Sequence, residues 1–157
     1  MNKIFEVSSP SETEAVGQAL AEMLDSNGIE RAFIAFFGEM GVGKTAFVRG
    51  FASHFGIRGV KSPTYTVMNE YRGKRTIRHF DFYRISDGDD LYSIGFDDCV
   101  EDNCYCLGEW SENILDFLPY DAIRVTISRI FSGNVSDESA NLRKIEILLP
   151  NKYEDLL

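Results

Sequence analysis

Two hydrophobic rhythms alternate along this chain, and each announces a kind of element. Residues 4–7 read as a short strand leading into Ser9-Pro10-Ser11-Glu12. Ser9 suits a helix N-cap, Pro10 the first helical position and Glu12 the closing acid of a capping box. Val16, Leu20, Met23 and Leu24 then recur at helical spacing until Asn27-Gly28 stops them. A continuous apolar strand over 32–37 follows, then a glycine-rich turn and a helix over 44–55 that Gly56 ends. Strand, turn and helix in that order make half of a parallel unit.

Beyond Ser62-Pro63 the period drops to two. Residues 64–71 alternate, Arg72-Gly73-Lys74-Arg75 turns tightly, and 76–82 return as the second arm of a hairpin, so the sheet is mixed. Residues 89–94 and 96–100 read as short acidic helical turns, 105–108 as a buried strand, and 111–117 as a helix closed by Pro119. Two alternating strands, 122–130 and 142–149, finish the pattern, joined by the polar stretch 132–141 and followed by a charged tail, 151–157, expected to be flexible. The order predicts an α/β sandwich with helices on both faces of a partly antiparallel sheet. At 157 residues the chain fits one domain, 1–157.

Composition narrows the function classes. With 44% hydrophobic and 26% charged residues, the chain is neither disordered nor collagenous. A formal net charge of −9 repels polyanions and argues against autonomous nucleic-acid binding. The charge is unevenly spread: residues 56–84 hold seven bases against two acids, and 86–116 hold ten acids and no base. Such contrast serves either two solvated faces or a docking surface. Cys99, Cys104 and Cys106 form an odd set without a C-x-x-C pair, so neither a structural zinc nor a disulfide framework is expected. No apolar run approaches the roughly 18 residues a membrane helix needs, and no signal-peptide stretch opens the chain, which predicts a cytoplasmic protein.

The decisive chemistry lies in Gly38-Glu39-Met40-Gly41-Val42-Gly43-Lys44-Thr45, a complete G-x-x-x-x-G-K-[ST] loop between an apolar strand and a helix. Its glycines let successive N–H groups point at phosphates, and the helix from Lys44 through Ala46 adds its positive end. Residues 38–46 are therefore the candidate nucleotide-binding segment. Lys44 is expected to reach the β and γ phosphates and Thr45 to bind Mg²⁺. A phosphate-bound Mg²⁺ wants an outer carboxylate at a strand end, a place Asp81 fills. Glu109, ending the run 105–107, can orient the attacking water or bind Mg²⁺ through water. Lys61-Ser62-Pro63-Thr64-Tyr65-Thr66 offers hydroxyls and a lysine where a γ-phosphate sensor loop would sit. Trp110, the single tryptophan, suits core packing or an interface anchor equally. Asn151-Lys152-Tyr153-Glu154 nearly spells a guanine-reading motif, but its longer acid and late position disfavour that use. The fold expected is thus a P-loop NTPase-like three-layer sandwich with a mixed central sheet.

Taken together and in order, the P-loop, Ser62-Pro63-Thr64 running on to Asn69-Glu70-Tyr71, His79-Phe80-Asp81-Phe82-Tyr83-Arg84 and Glu109-Trp110 resemble the bacterial TsaE (YjeE) family. The resemblance implies an ATPase of tRNA threonylcarbamoyladenosine biosynthesis that acts with TsaD, the threonylcarbamoyl transferase, and with its paralogue TsaB. It implies ATP and Mg²⁺ as cofactors, weak hydrolysis by the isolated protein, and tRNA as a substrate met only through the complex, with neither DNA nor a membrane as partner. Carried onto this chain, Lys44 and Thr45 hold phosphate and Mg²⁺, Thr64 is the switch residue, Asp81 and Glu109 are the metal-side and catalytic acids, and Trp110 completes the late motif. The rival functions are a small-molecule kinase using the same loop and Asp81, and a nucleotide-gated adaptor without meaningful hydrolysis.

Overall fold

A computed structural model describes residues 1–130 and 141–156; the polar stretch 132–141 thus lies, apart from Asn141, outside the described residues. Seven strands form one sheet: β1 (Asn2–Val7), β2 (Ala32–Phe37), β3 (Met68–Arg72), β4 (Thr76–Asp81), β5 (Tyr105–Glu109), β6 (Ile123–Arg129) and β7 (Arg143–Leu148). Their spatial order is β1-β7-β6-β2-β5-β4-β3. The four central strands run parallel, whereas β3 and the β7–β1 pair are antiparallel. β2 is apolar throughout because β5 and β6 flank it and both its faces are covered.

Helices α1 (Pro10–Ser26) and α2 (Lys44–His54) cover one face of the sheet, burying Leu20, Leu24, Phe47 and Phe51 against Ile34, Phe36, Tyr105 and Leu107. The other face carries α3 (Gly88–Ser93), α4 (Phe96–Glu101) and a 3-10 segment, Ser111–Phe117, over Phe33, Ala35, Phe80 and Cys106. The three cysteines are buried as small apolar groups and unpaired. The three-layer sandwich expected from the element order is the observed architecture.

At the start of α1, Ser9 Oγ accepts from the Glu12 N–H, and Glu12 in turn accepts from the backbone of Ser8, one residue earlier than a strict capping box would have it. α1 and α2 meet backbone to backbone. A Cβ on Gly17 would lie 2.2 Å from the Phe47 carbonyl oxygen, and one on Gly50 1.9 Å from that of Glu14. Gly50→Ala therefore forces the helices apart, and the roughly 1 kcal/mol it gains in helix propensity does not compensate. We expect a loss of about 2–3 kcal/mol, read as a drop of roughly 5–10 °C in thermal unfolding midpoint; an unchanged midpoint would refute the close approach.

Three expectations are corrected. The first hairpin arm begins at Met68, because Pro63 starts a turn in which the Val67 N–H donates to the Pro63 carbonyl at 2.8 Å and Val67 adopts a left-handed φ of 67°. Segment 111–117 is a kinked 3-10 helix, with Asn113 Nδ2 donating to the carbonyls of Phe82 and Tyr83 and so tying it to the end of β4. The tail folds as a 3-10 turn, Asn151–Leu156, since Tyr153 is buried in the α1/α2-side core and Leu156 packs against it. Lys152 there bonds Asp121, just before β6, at the sheet end opposite Gly38, so the near-guanine motif faces away from the glycine-rich loop.

Candidate functional site

The loop between β2 and α2 takes a path that side chains would resist. Gly38, Gly41 and Gly43 have φ values of 140°, 76° and 117°, in the left-handed region that favours glycine. Gly43 caps α2 without a side-chain bond, so the first-turn N–H groups receive no capping side chain. Val42 and Ala46 are buried and anchor the loop to the core. Glu39 and Met40 face outward, Glu39 pairing with Arg129 at 3.7 Å. Beside the loop lies a cleft of about 130 Å³ bounded by Ser8, Ser9 and Thr13 at the start of α1, by Gly41 to Gly43, and by Arg143.

Strand periodicity brings the acids to this loop. Side chains two apart share a face, so Ile77, His79 and Asp81 of β4 and Tyr105, Leu107 and Glu109 of β5 all point to the α2 side, with Asp81 and Glu109 opposite each other in register. The Thr45 hydroxyl lies 3.3 and 3.5 Å from the two Glu109 carboxylate oxygens. His79 Nε2 lies 2.6 Å from Glu109 Oε2, both side chains buried. Asp81 Oδ1 accepts from the Tyr83 N–H at 2.9 Å.

Lys44 is 4% exposed, its ammonium donating to the Gly38 carbonyl at 2.7 Å and resting 4.1 Å from the centroid of the Trp110 ring. Burial pulls its pKa below the usual lysine value, opposed by the negative charges of Glu109, Glu112 and Asp81. Trp110 holds a left-handed φ of 61°, a conformation costing a non-glycine residue of order 1–3 kcal/mol. That bend turns its indole back over Lys44 and against Tyr83, the rings 5.0 Å apart. Trp110 is half-buried and packs against the α3/α4-side core, as its core reading expects, while its place over Lys44 is named by neither the core nor the partner-surface reading.

Thr64 stands apart from this cluster. Its hydroxyl bonds Ser62 Oγ at 2.7 Å, and its segment reaches the acids only through the backbone, where the Asp81 N–H donates to the Val67 carbonyl at 2.8 Å. The structure therefore assembles Lys44, Thr45, Glu109 and Asp81, while Thr64 sits one loop away. Sequence reasoning missed His79, Glu112, whose Oε2 is 3.5 Å from the Gly38 N–H, and the cleft at α1. The alternation in Ile77-Arg78-His79-Phe80-Asp81 carried the signal for His79, since it puts the imidazole on the face of Asp81.

The arrangement can receive a phosphorylated ligand: glycines in left-handed backbone and a helix start offer N–H groups, one buried ammonium stands beside them, and two carboxylates wait on the neighbouring strands. Comparison with known proteins identifies the family. A family model described as threonylcarbamoyl adenosine biosynthesis protein TsaE matches residues 7–134. The chain is 40% identical over 114 residues to the tRNA threonylcarbamoyladenosine biosynthesis protein TsaE of Haemophilus influenzae, covering 71% of this chain and 72% of that one. Against the Treponema pallidum protein of the same description it is 30% identical over 127 residues, 80% and 91% of the two chains. The crystal structure of Bacillus subtilis YdiB superposes with a TM-score of 0.75 at 28% identity, over 99% of this chain and 91% of that one. With the family model spanning most of its length, this chain belongs to the TsaE family of threonylcarbamoyl adenosine biosynthesis proteins.

Proposed function

We propose that this chain hydrolyses ATP, with Mg²⁺, as the energy-supplying subunit of the machinery that makes threonylcarbamoyladenosine in tRNA. The observation that carries the reading is the direct contact of the P-loop residue Thr45 with Glu109, beside the buried Lys44. A structural glycine turn has no need of a buried ammonium facing three carboxylates.

The residues fit the ligands proposed. Among the described residues no three His, Cys, Asp or Glu side chains could hold a metal by themselves, so a Mg²⁺ at Thr45 would draw most of its ligands from phosphate and water, as that ion prefers. Such an ion neutralises charge on the phosphates. Lys44 supplies the protein's own positive charge beside the loop, and the N–H groups of 38–46 bind the phosphate chain. Glu109 holds and deprotonates the attacking water, and Asp81 would hold the Mg²⁺ through water. The cleft between the start of α1 and Gly41 to Gly43 offers serine and threonine hydroxyls to the nucleoside end. Thr64 acts as the sensor, and its backbone link to Asp81 through Val67 gives it a route to the acids.

TsaD and TsaB are the proposed partners, and tRNA is met through them, in keeping with a net charge of −9. No helix among the described residues is long and apolar enough to cross a membrane, and we place the protein in the cytoplasm. Phosphate release is expected to be slow alone and to rise at least about tenfold when purified TsaD and TsaB are added, a scale of about 1.4 kcal/mol in the barrier. Depletion should lower threonylcarbamoyladenosine in tRNA nucleosides measured by mass spectrometry. Unstimulated turnover together with normal modification after depletion would overturn the reading.

A further inference from the structure

His79 is fully buried in the middle of a parallel strand, between apolar Ile77 and Asp81 on the same face. Its Nε2 meets Glu109 Oε2 at 2.6 Å, whereas its Nδ1 has no hydrogen-bond partner among the described residues. An orphaned buried polar atom costs about 1–3 kcal/mol, so the imidazole is a poor choice for filling space. An ionised carboxylate only accepts, which makes Nε2 the donor and leaves Nδ1 a bare acceptor in the neutral ring. The orphan is then a consequence of orienting the ring toward Glu109.

Glu109 carries three rotatable side-chain bonds, and fixing such a chain costs up to about 2 kcal/mol of rotamer entropy. Two contacts hold it: the Thr45 hydroxyl from the P-loop helix and the His79 imidazole from β4. Thr45 is expected to turn to Mg²⁺ when nucleotide is bound, which would leave His79 as the anchor that does not change partners. We propose that His79 is the positioning residue for Glu109, donating its Nε2–H to Oε2 so that the carboxylate keeps one orientation through the nucleotide cycle. This rests on the ATPase reading above. His79 itself lies one side-chain step below Asp81 on the strand and is 0% exposed, so it acts through Glu109.

Two variants and one spectrum test this. His79→Leu fills similar space without a donor; His79→Gln places an N–H near the position of Nε2. With partners present, His79→Leu should lower kcat roughly 10–100-fold, as loss of a group orienting a metal-side ligand does, with KM for ATP little changed. His79→Gln should recover most of that loss. In the apoprotein, 15N imidazole resonances need separating only from His54, the other histidine, through a His54→Gln variant. The hydrogen should reside on Nε2 of His79, and Glu109→Gln should shift that resonance. Wild-type kcat in a folded His79→Leu variant, equal losses in the two variants, or a ring carrying its hydrogen on Nδ1 alone would each overturn the proposal. If His79→Leu does not fold, His79→Gln and the spectrum still decide it. Failure of the wild-type protein to release phosphate with its partners would instead sink the ATPase reading, and the spectrum would still test the His79–Glu109 bond.

Discussion

Lys44→Ala is expected to yield a folded protein whose ATP turnover, measured as phosphate release, falls at least about 100-fold, the scale on which a single preorganised charge-stabilising donor is lost. The ammonium is more than a phosphate contact. Glu109, Glu112 and Asp81 all act on it, and without it three acids would face an incoming polyphosphate with their nearest shared cation gone. Affinity for a labelled ATP analogue should fall along with turnover. Folding should survive the loss of the ammonium's bond to the Gly38 carbonyl, because the loop path is set by the left-handed φ of Gly38, Gly41 and Gly43 and anchored by the buried Val42. The indole of Trp110 loses the cation 4.1 Å from its ring, so its fluorescence reports the change directly. Wild-type affinity and turnover in a folded variant would remove the nucleotide reading of the loop.

Glu109→Gln should split binding from chemistry. The amide keeps the size of the side chain and can still accept from Thr45, so nucleotide affinity should change by less than about fivefold, while the lost general base lowers turnover roughly 100–1,000-fold. Phosphate release and analogue titration on one preparation separate the two. Asp81→Asn should do the same more weakly, because Asp81 Oδ1 is already engaged by the Tyr83 N–H and an amide oxygen can keep that bond. Melting of Glu109→Gln with normal turnover in the surviving fraction would make Glu109 a structural acid.

What could be read from the chain followed from how local each signal is. β2, the glycine turn and α2 were legible because an apolar run, a fixed spacing and a helix stop all fall within about 25 consecutive residues. The Ser9 cap was legible for the same reason. His79 was not, because a histidine in a strand looks like a polarity defect until β5 is laid beside β4 and Glu109 arrives from 30 residues away. Trp110 needed knowledge of its left-handed backbone, which no side-chain pattern encodes. The C-terminal turn was misjudged because its charges outnumber its apolar residues, although one buried Tyr153 suffices to seat it. Asp81 and Glu109 were candidates from the general tendency of α/β sheets to place chemistry at strand ends; that they stand opposite each other in register could be read only once the sheet was assembled.

The seat of α1 on α2 also divides the molecule mechanically. Glu14 and Gly17 on one helix and Phe47 and Gly50 on the other interlock at two points a turn apart, backbone against backbone, like a tenon in its mortise. Neither helix can slide along the other without climbing over a carbonyl oxygen, so the P-loop helix, α1 and the serine-lined cleft at its start behave as one stator. On the opposite face of the sheet Trp110 holds a left-handed φ of 61° and the 3-10 segment kinks at Ile114, so under the proposed ATPase reading the motion of turnover falls there. If the proposed nucleotide and partners are right, force from a partner protein would reach the phosphates through the acids and the indole, with the glycine loop standing still.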